Sequence, residues 1–198
     1  MNSFVEICFV QAVLLGFQGA TYLLIQKYQG DAHNVLRSID TKIPFDSRWI
    51  FLYVLWYPLI ALFPVVLSQY SMAAYSQYLI CVVTDIVLSL IFYYCYPTSF
   101  ERPEIKGDSI SDKLLKFIRI CNYKGKNCMP SMHCSMCYII IVFSLSCGLL
   151  PVAVKAGVII LSLLIVVSTV FTKQHVFMDT VTAVVPALVG YGVSCFLN

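Results

Sequence analysis

The stretch VAVKAGVIILSLLIVVSTVFT, from Val152 to Thr172, carries a single charged side chain, Lys155, over the roughly 20 residues that a helix needs to cross a bilayer. Five further stretches read the same way: about Phe4 to Ile25, Arg48 to Leu67, Met72 to Cys95, Met132 to Leu149 and Val176 to Leu197. With 60% hydrophobic residues, 12% charged residues and a mean hydropathy of +0.83, the 198-residue chain lies outside the range of soluble domains. The expected fold is all-α, a polytopic membrane helix bundle with six transmembrane helices in a single integral membrane domain over residues 1–198. An even number of crossings places both ends on one side.

The chain opens Met1-Asn2-Ser3 and carries Glu6 with no early Lys or Arg, so the first run reads as a retained span and not as a cleaved leader. No internal repeat or composition shift marks a second domain. Pro58, Pro64 and Pro186 fall inside apolar runs, where they kink helices whose freed carbonyls find partners on neighbours. Gly16, Gly19, Gly190 and Gly192 are expected at close helix contacts.

The connections are unequal. About Gln26 to Ser47 and the large polar loop 96–131 are long, while the second and third runs, and the fourth and fifth, are separated by only a few residues. Six crossings put both long loops and the turn around Lys173 on one face. Within the larger loop, Ile110, Leu114, Leu115 and Ile118 alternate with Asp112, Lys113, Lys116 and Arg119, the pattern of an interfacial amphipathic helix over Ile110 to Ile120. Of thirteen Lys and Arg residues all but Lys155 fall on the loop face, and the positive-inside rule then makes that face cytosolic. A net charge of +3 without a basic-aromatic stripe argues against a nucleic-acid partner.

Nine cysteines suggest a disulfide framework only until they are placed. Cys8, Cys81, Cys134, Cys137, Cys147 and Cys195 lie in apolar runs and read as small core residues. Cys95, Cys121 and Cys128 lie at or in the large loop, where a disulfide depends on the compartment. His133, Cys134 and Cys137 have no second ligand cluster at metal-site spacing, so no metal site is expected.

The sharpest polar pair is His175 and Asp179. Four apart on a helix, they share a face, so the carboxylate can fix one tautomer of the imidazole and leave the other nitrogen free to attack. A pair that only stabilises a helix end at the interface is the competing reading. His133 follows Pro130-Ser131, a helix start where Ser131 caps and the first-turn N–H groups, near Ser131 and Met132, favour an anion. A histidine there can protonate a leaving oxygen, a role worth on the order of 10²–10⁴ in rate. Arg102 and Lys173 are the nearest cations in sequence, either anion clamps or ordinary solvated bases. Asp85, in the middle of the third run, is protonated, bonded to a neighbouring helix, or part of a polar cavity.

In order and spacing these residues resemble the type 2 phosphatidic acid phosphatase superfamily, whose motifs are Lys-x6-Arg-Pro, Pro-Ser-Gly-His and Ser-Arg-x5-His-x3-Asp. Arg102-Pro103 matches the end of the first, Pro130, Ser131 and His133 match the second, and Ser168, His175 and Asp179 match the third. The first-motif lysine falls at Cys95, the glycine of the second at Met132 and the arginine of the third at Thr169. Loosened motifs of this kind also occur in the branch that resembles sphingomyelin and inositol phosphorylceramide synthases. The superfamily's six-helix core agrees with the number of apolar runs.

The resemblance implies that His175 attacks phosphorus to form a phosphohistidine, that Asp179 orients it, and that His133 protonates the departing oxygen. Arg102, Lys173 and backbone groups near Ser131 and Met132 would bind the phosphate oxygens, with no metal or cofactor. The expected activity is hydrolysis of lipid phosphate monoesters or diphosphates at the membrane. A lipid headgroup phosphotransferase is the alternative, and a non-catalytic lipid-binding or transport protein a further one.

Overall fold

A computed structural model of the chain describes residues 4–121 and 125–197. Residues 1–3, on which the reading of the chain's start partly rests, residues 122–124 and the side chain of Cys121 lie outside the described residues, and so does any disulfide to Cys121. Cys95 and Cys128, the other two loop cysteines, are free thiols.

The protein is mostly helical. Long helices α1 (Phe4–Tyr28) and α5 (Met72–Cys95) are followed by α7 (Met132–Ser146) and α8 (Val152–Phe171). Short helix α2 (Ser38–Lys42) and a 3₁₀ turn at Ser47–Trp49 lead into α3 (Ile50–Tyr53) and α4 (Trp56–Tyr70). Helix α6 (Ile110–Cys121) lies in the large loop, and α9 (Phe177–Thr182) with α10 (Val184–Phe196) ends the described chain. Among the described residues, five helical stretches are long and apolar enough to cross a membrane: α1, Ser47–Tyr70, α5, α8 and Phe177–Phe196. The chain is a multi-pass integral membrane protein.

The expected fourth span departs from this length. Helix α7 ends at Ser146 and its 15 residues reach about 22 Å, short of the roughly 30 Å hydrocarbon layer. Its position gives the reason. Met136, Ile139, Ile140 and Phe143 are buried in the main core, together with Tyr78 and Ile86 of α5 and Ile165 of α8. A helix wrapped by α5, α8 and α10 takes its length from its neighbours and not from the lipid.

Two of the three prolines interrupt their helices where backbone chemistry requires it. Pro58 cannot donate to Val54, whose carbonyl accepts from Tyr57 N at 3.2 Å instead, and the α3–α4 break falls at Val54–Leu55. Pro186 stands four residues after Thr182, and α9 gives way to α10 at Ala183. Pro64 stays inside α4. Of the glycines expected at close contacts, Gly190 is one: an added Cβ would lie 2.6 Å from the Cys81 carbonyl of α5. Gly16, Gly19 and Gly192 have nothing within 4 Å of that position, so packing does not require them.

Both long loops and the Lys173 turn meet at one end of the bundle. A two-residue parallel pair, β1 (His33–Asn34) with β2 (Thr98–Ser99), ties one loop to the other. Asp46 N donates to Phe171 O at 3.0 Å and Phe177 N to Asp40 Oδ1 at 2.7 Å, which fastens the first loop to both sides of the turn. Helix α6 forms where the amphipathic pattern predicts it. Leu115 and Ile118 pack on Ile50 and Tyr53, while Phe117 and Ile120 are exposed on its other side. Asp85 is buried in α5 and accepts from Ser135 Oγ of α7 at 3.0 Å, the neighbouring-helix bond among the options for it.

Candidate active site

His175 lies in the turn between α8 and α9. The turn is closed by Gln174 N and His175 N, which both donate to Thr169 O at 3.0 and 3.1 Å, and by Lys173 in a left-handed conformation (φ 51°) just past the α8 end. His175 Nδ1 is 3.0 Å from Cys128 O and 3.2 Å from Asp179 Oδ2. Both partners accept, so in the neutral ring Nδ1 carries the proton and Nε2 the lone pair. The pair does not meet across one helical turn, as the four-residue spacing suggests. His175 precedes α9, and Asp179 reaches back from the third helical position, taking Val176 N at 3.0 Å and His175 on the same oxygen.

His133 occupies the first turn of α7, whose start is capped by Ser131 Oγ accepting from Cys134 N at 3.3 Å. Ser131 N donates to Asp179 O at 3.1 Å, a bond that joins the head of α7 directly to α9. Ser131 is fully buried and its own N–H is taken by that bond, which leaves the later first-turn N–H groups of α7 for an anion. Met132 lines the cavity described below. The imidazoles of His133 and His175 face each other with centroids 5.6 Å apart. His133 is held by two aromatic residues that the sequence did not single out: the Tyr53 hydroxyl is 2.8 Å from Nε2, and the Trp56 ring lies 4.3 Å away, centroid to centroid.

Both imidazoles open on a cavity of about 570 Å³. Leu15, Gly19 and Tyr22 of α1 form one wall, and Tyr53, Trp56 and Ile60 another. Its size falls within the range of small-molecule sites, and its walls are largely apolar with polar groups gathered by the histidines. Trp56 Nε1, Asn127 Nδ2 and Gln174 Nε2 border it as buried nitrogens without a hydrogen-bond partner among the described residues. Buried donors are ordinarily satisfied, so this group presents unused capacity for an oxygen-rich ligand. Gln174 adjoins His175 in sequence, but Asn127, Tyr53 and Trp56 come from distant segments and carry no local signal.

Arg102 and Lys173 separate. Arg102 Nη2 donates to Gln174 O at 3.5 Å, beside His175, and its buried Nε has no partner among the described residues. Lys173 turns to the first loop, where Nζ donates to Asp40 O at 2.8 Å and Ile43 O at 2.7 Å. Burial lowers the Lys173 pKa, and the Asp40 carboxylate opposes that shift. Lys173 Nζ thus staples the turn to the first loop. Thr169, at the position of the missing arginine, is buried against α7 with Oγ1 3.7 Å from Cys134 Sγ. Cys128 is a neutral thiol: burial, helped by the Asp179 charge, pushes its pKa up to about 12.

Comparisons with family models, curated proteins and solved structures return no match. The functional reading rests on the site's own residues and on the motif spacing.

Proposed function

We propose that the protein is a membrane-embedded enzyme of the type 2 phosphatidic acid phosphatase kind, hydrolysing lipid phosphate monoesters or diphosphates through a phosphohistidine on His175. The observation that carries this reading is the pairing of an imidazole whose tautomer is set by two acceptors with a second imidazole 5.6 Å away over one cavity. An attacking atom stands roughly 3–3.5 Å from its target and an acid about 2.6–3.2 Å from the oxygen it protonates, so rings at this separation can serve one phosphoryl group. His175 Nε2 attacks phosphorus, the phosphorus–oxygen bond to the lipid breaks, and His133 gives its proton to the departing oxygen. Water then loses a proton to His133 and attacks phosphorus, and the phosphorus–nitrogen bond breaks. The Asp179 carboxylate stabilises the positive charge that His175 acquires, and Arg102 that of the phosphoryl oxygens with the opposite sign.

In this reading α7 is a sixth, recessed crossing, and the basic loop face that holds the site is cytosolic. Helix α1, which buries only Ile7, Gln11, Gln18 and Gln26, is the wall through which a lipid chain reaches the cavity. Headgroup transfer to a lipid hydroxyl is the second reading, favoured by Cys95 and Thr169 standing where the phosphatase pattern has cations.

The test gives purified protein a panel of lipid phosphates with and without diacylglycerol or ceramide, and measures free phosphate and new phospholipid. Phosphate release by the wild type, abolished in His175→Ala, is expected. Headgroup transfer without release selects the transferase, and full function in His175→Ala selects a non-catalytic lipid-binding or transport protein.

A further inference from the structure

Arg119, on α6, is absent from the motif pattern, yet it converges with Arg102 on the turn that carries His175. Arg119 Nη2 donates to Thr172 O at 3.5 Å and Nη1 to Pro103 O at 2.6 Å, while Arg102 Nη2 takes Gln174 O. The two guanidiniums thus grip carbonyls two residues apart, immediately before the nucleophile. Each leaves a buried Nε without a partner, and neither has a carboxylate within 4 Å among the described residues. Burial, and then the positive charge of Arg102, draw the Arg119 pKa down to about 10, so Arg119 stays charged at neutral pH.

Two half-buried, like-charged guanidiniums, each with a buried Nε left unpaired and no carboxylate partner among the described residues, form a site that an anion between them would complete. Unpartnered Gln174 Nε2, on a residue only 3% exposed that borders the cavity and whose carbonyl Arg102 holds, adds a further unused donor. Ile118, next to Arg119, also lines the cavity. A phosphate monoester carries about −1.5 to −2 charges at pH 7, whereas a phosphodiester carries one and cannot neutralise the pair.

We infer that Arg119 joins Arg102 in a two-guanidinium subsite that selects lipid phosphate monoesters or diphosphates over phosphodiesters. This rests on the proposed phosphoryl-transfer reading and assigns its charge preference to α6. Planar guanidiniums suit the task because each can offer paired N–H groups to phosphate oxygens.

The experiment titrates detergent-solubilised full-length protein with inorganic phosphate, pyrophosphate and dimethyl phosphate, following Trp fluorescence and the ligand-dependent rise in Tm. Wild type is expected to bind phosphate and pyrophosphate at least tenfold more tightly than dimethyl phosphate. Arg119→Gln is expected to weaken phosphate at least tenfold, while Arg119→Lys keeps the preference at reduced affinity. Each variant is compared with its own ligand-free Tm, which separates loss of the Pro103 and Thr172 contacts from loss of binding. Equal wild-type affinity for phosphate and dimethyl phosphate overturns the inference, as does unchanged phosphate binding in Arg119→Gln. Where Arg119→Gln does not fold, Arg119→Lys decides, and phosphate affinity unchanged from wild type in that variant overturns the inference. A wild type that shows the preference but turns over no lipid phosphate sinks the enzymatic reading and leaves the anion subsite standing.

Discussion

Asp179→Asn isolates the charge beside His175 from the geometry that holds it. An amide oxygen in the place of Oδ2 still accepts from His175 Nδ1 and Val176 N, now 3.2 and 3.0 Å from the carboxylate. The amide nitrogen takes the place of Oδ1, which has no partner among the described residues, so one unsatisfied polar atom replaces another. The Cys128 carbonyl, 3.0 Å from Nδ1, keeps the proton on that nitrogen in either variant. Only the negative charge is lost. Hydrogen bonds to charged groups contribute about 1.5–3 kcal/mol against 0.5–1.5 for neutral pairs, so the change removes about 1–2 kcal/mol once His175 turns positive. That corresponds to a fall of roughly five- to thirtyfold in the rate of phosphohistidine formation. Single-turnover labelling with a radioactive lipid phosphate measures it, with Tm as the control for folding. A loss on the order of 10⁴, as expected when an imidazole is left in the wrong tautomer, refutes the reasoning by showing that the Cys128 carbonyl does not hold the proton. An unchanged rate refutes it from the other side.

Lys173→Met removes an ammonium that bonds the Asp40 and Ile43 carbonyls, so it is expected to lower stability by about 1–3 kcal/mol in thermal unfolding while leaving phosphate affinity unchanged. Gly190→Ala forces a methyl against the Cys81 carbonyl at 2.6 Å, and a destabilisation of about 1–3 kcal/mol is expected in the same measurement. Incubation with EDTA is expected to leave phosphate release intact, because fixed guanidiniums supply the charge on the phosphoryl oxygens; strict dependence on added magnesium counts against the assignment.

Hydropathy made the helical bundle legible, since long apolar runs such as Val152 to Thr172 have few alternatives in a bilayer. It overstated the length of α7, because burial among other helices and exposure to lipid leave the same apolar signature. The amphipathic α6 was readable from periodicity alone, as were breaks near Pro58 and Pro186. The spacing of His175 and Asp179 pointed to a pair but to the wrong geometry, since position N3 of a helix and the residue before its cap also lie four apart. Lys173 stands two residues before His175, yet its ammonium is held by first-loop carbonyls, a tertiary contact that spacing does not reveal. Tyr53, Trp56 and Asn127 reach the site only through tertiary packing, and an aromatic residue in an apolar run gives no sign that it holds an imidazole.

The bond from Ser131 N to Asp179 O has a mechanical corollary. With Tyr93 hydroxyl on Pro130 O at 2.6 Å and Met129 N on Thr98 Oγ1 at 2.9 Å, it rivets the two histidine-bearing segments into one rigid jaw. Helix α1 is fastened more lightly, through side-chain links such as Gln11 to Tyr75 and the Tyr22 hydroxyl to the Lys126 carbonyl. On the proposed reading, breathing that admits a lipid therefore belongs to α1, and so would drift in tail preference between descendants of this sequence: the outer wall can be rebuilt while the two imidazoles keep their alignment.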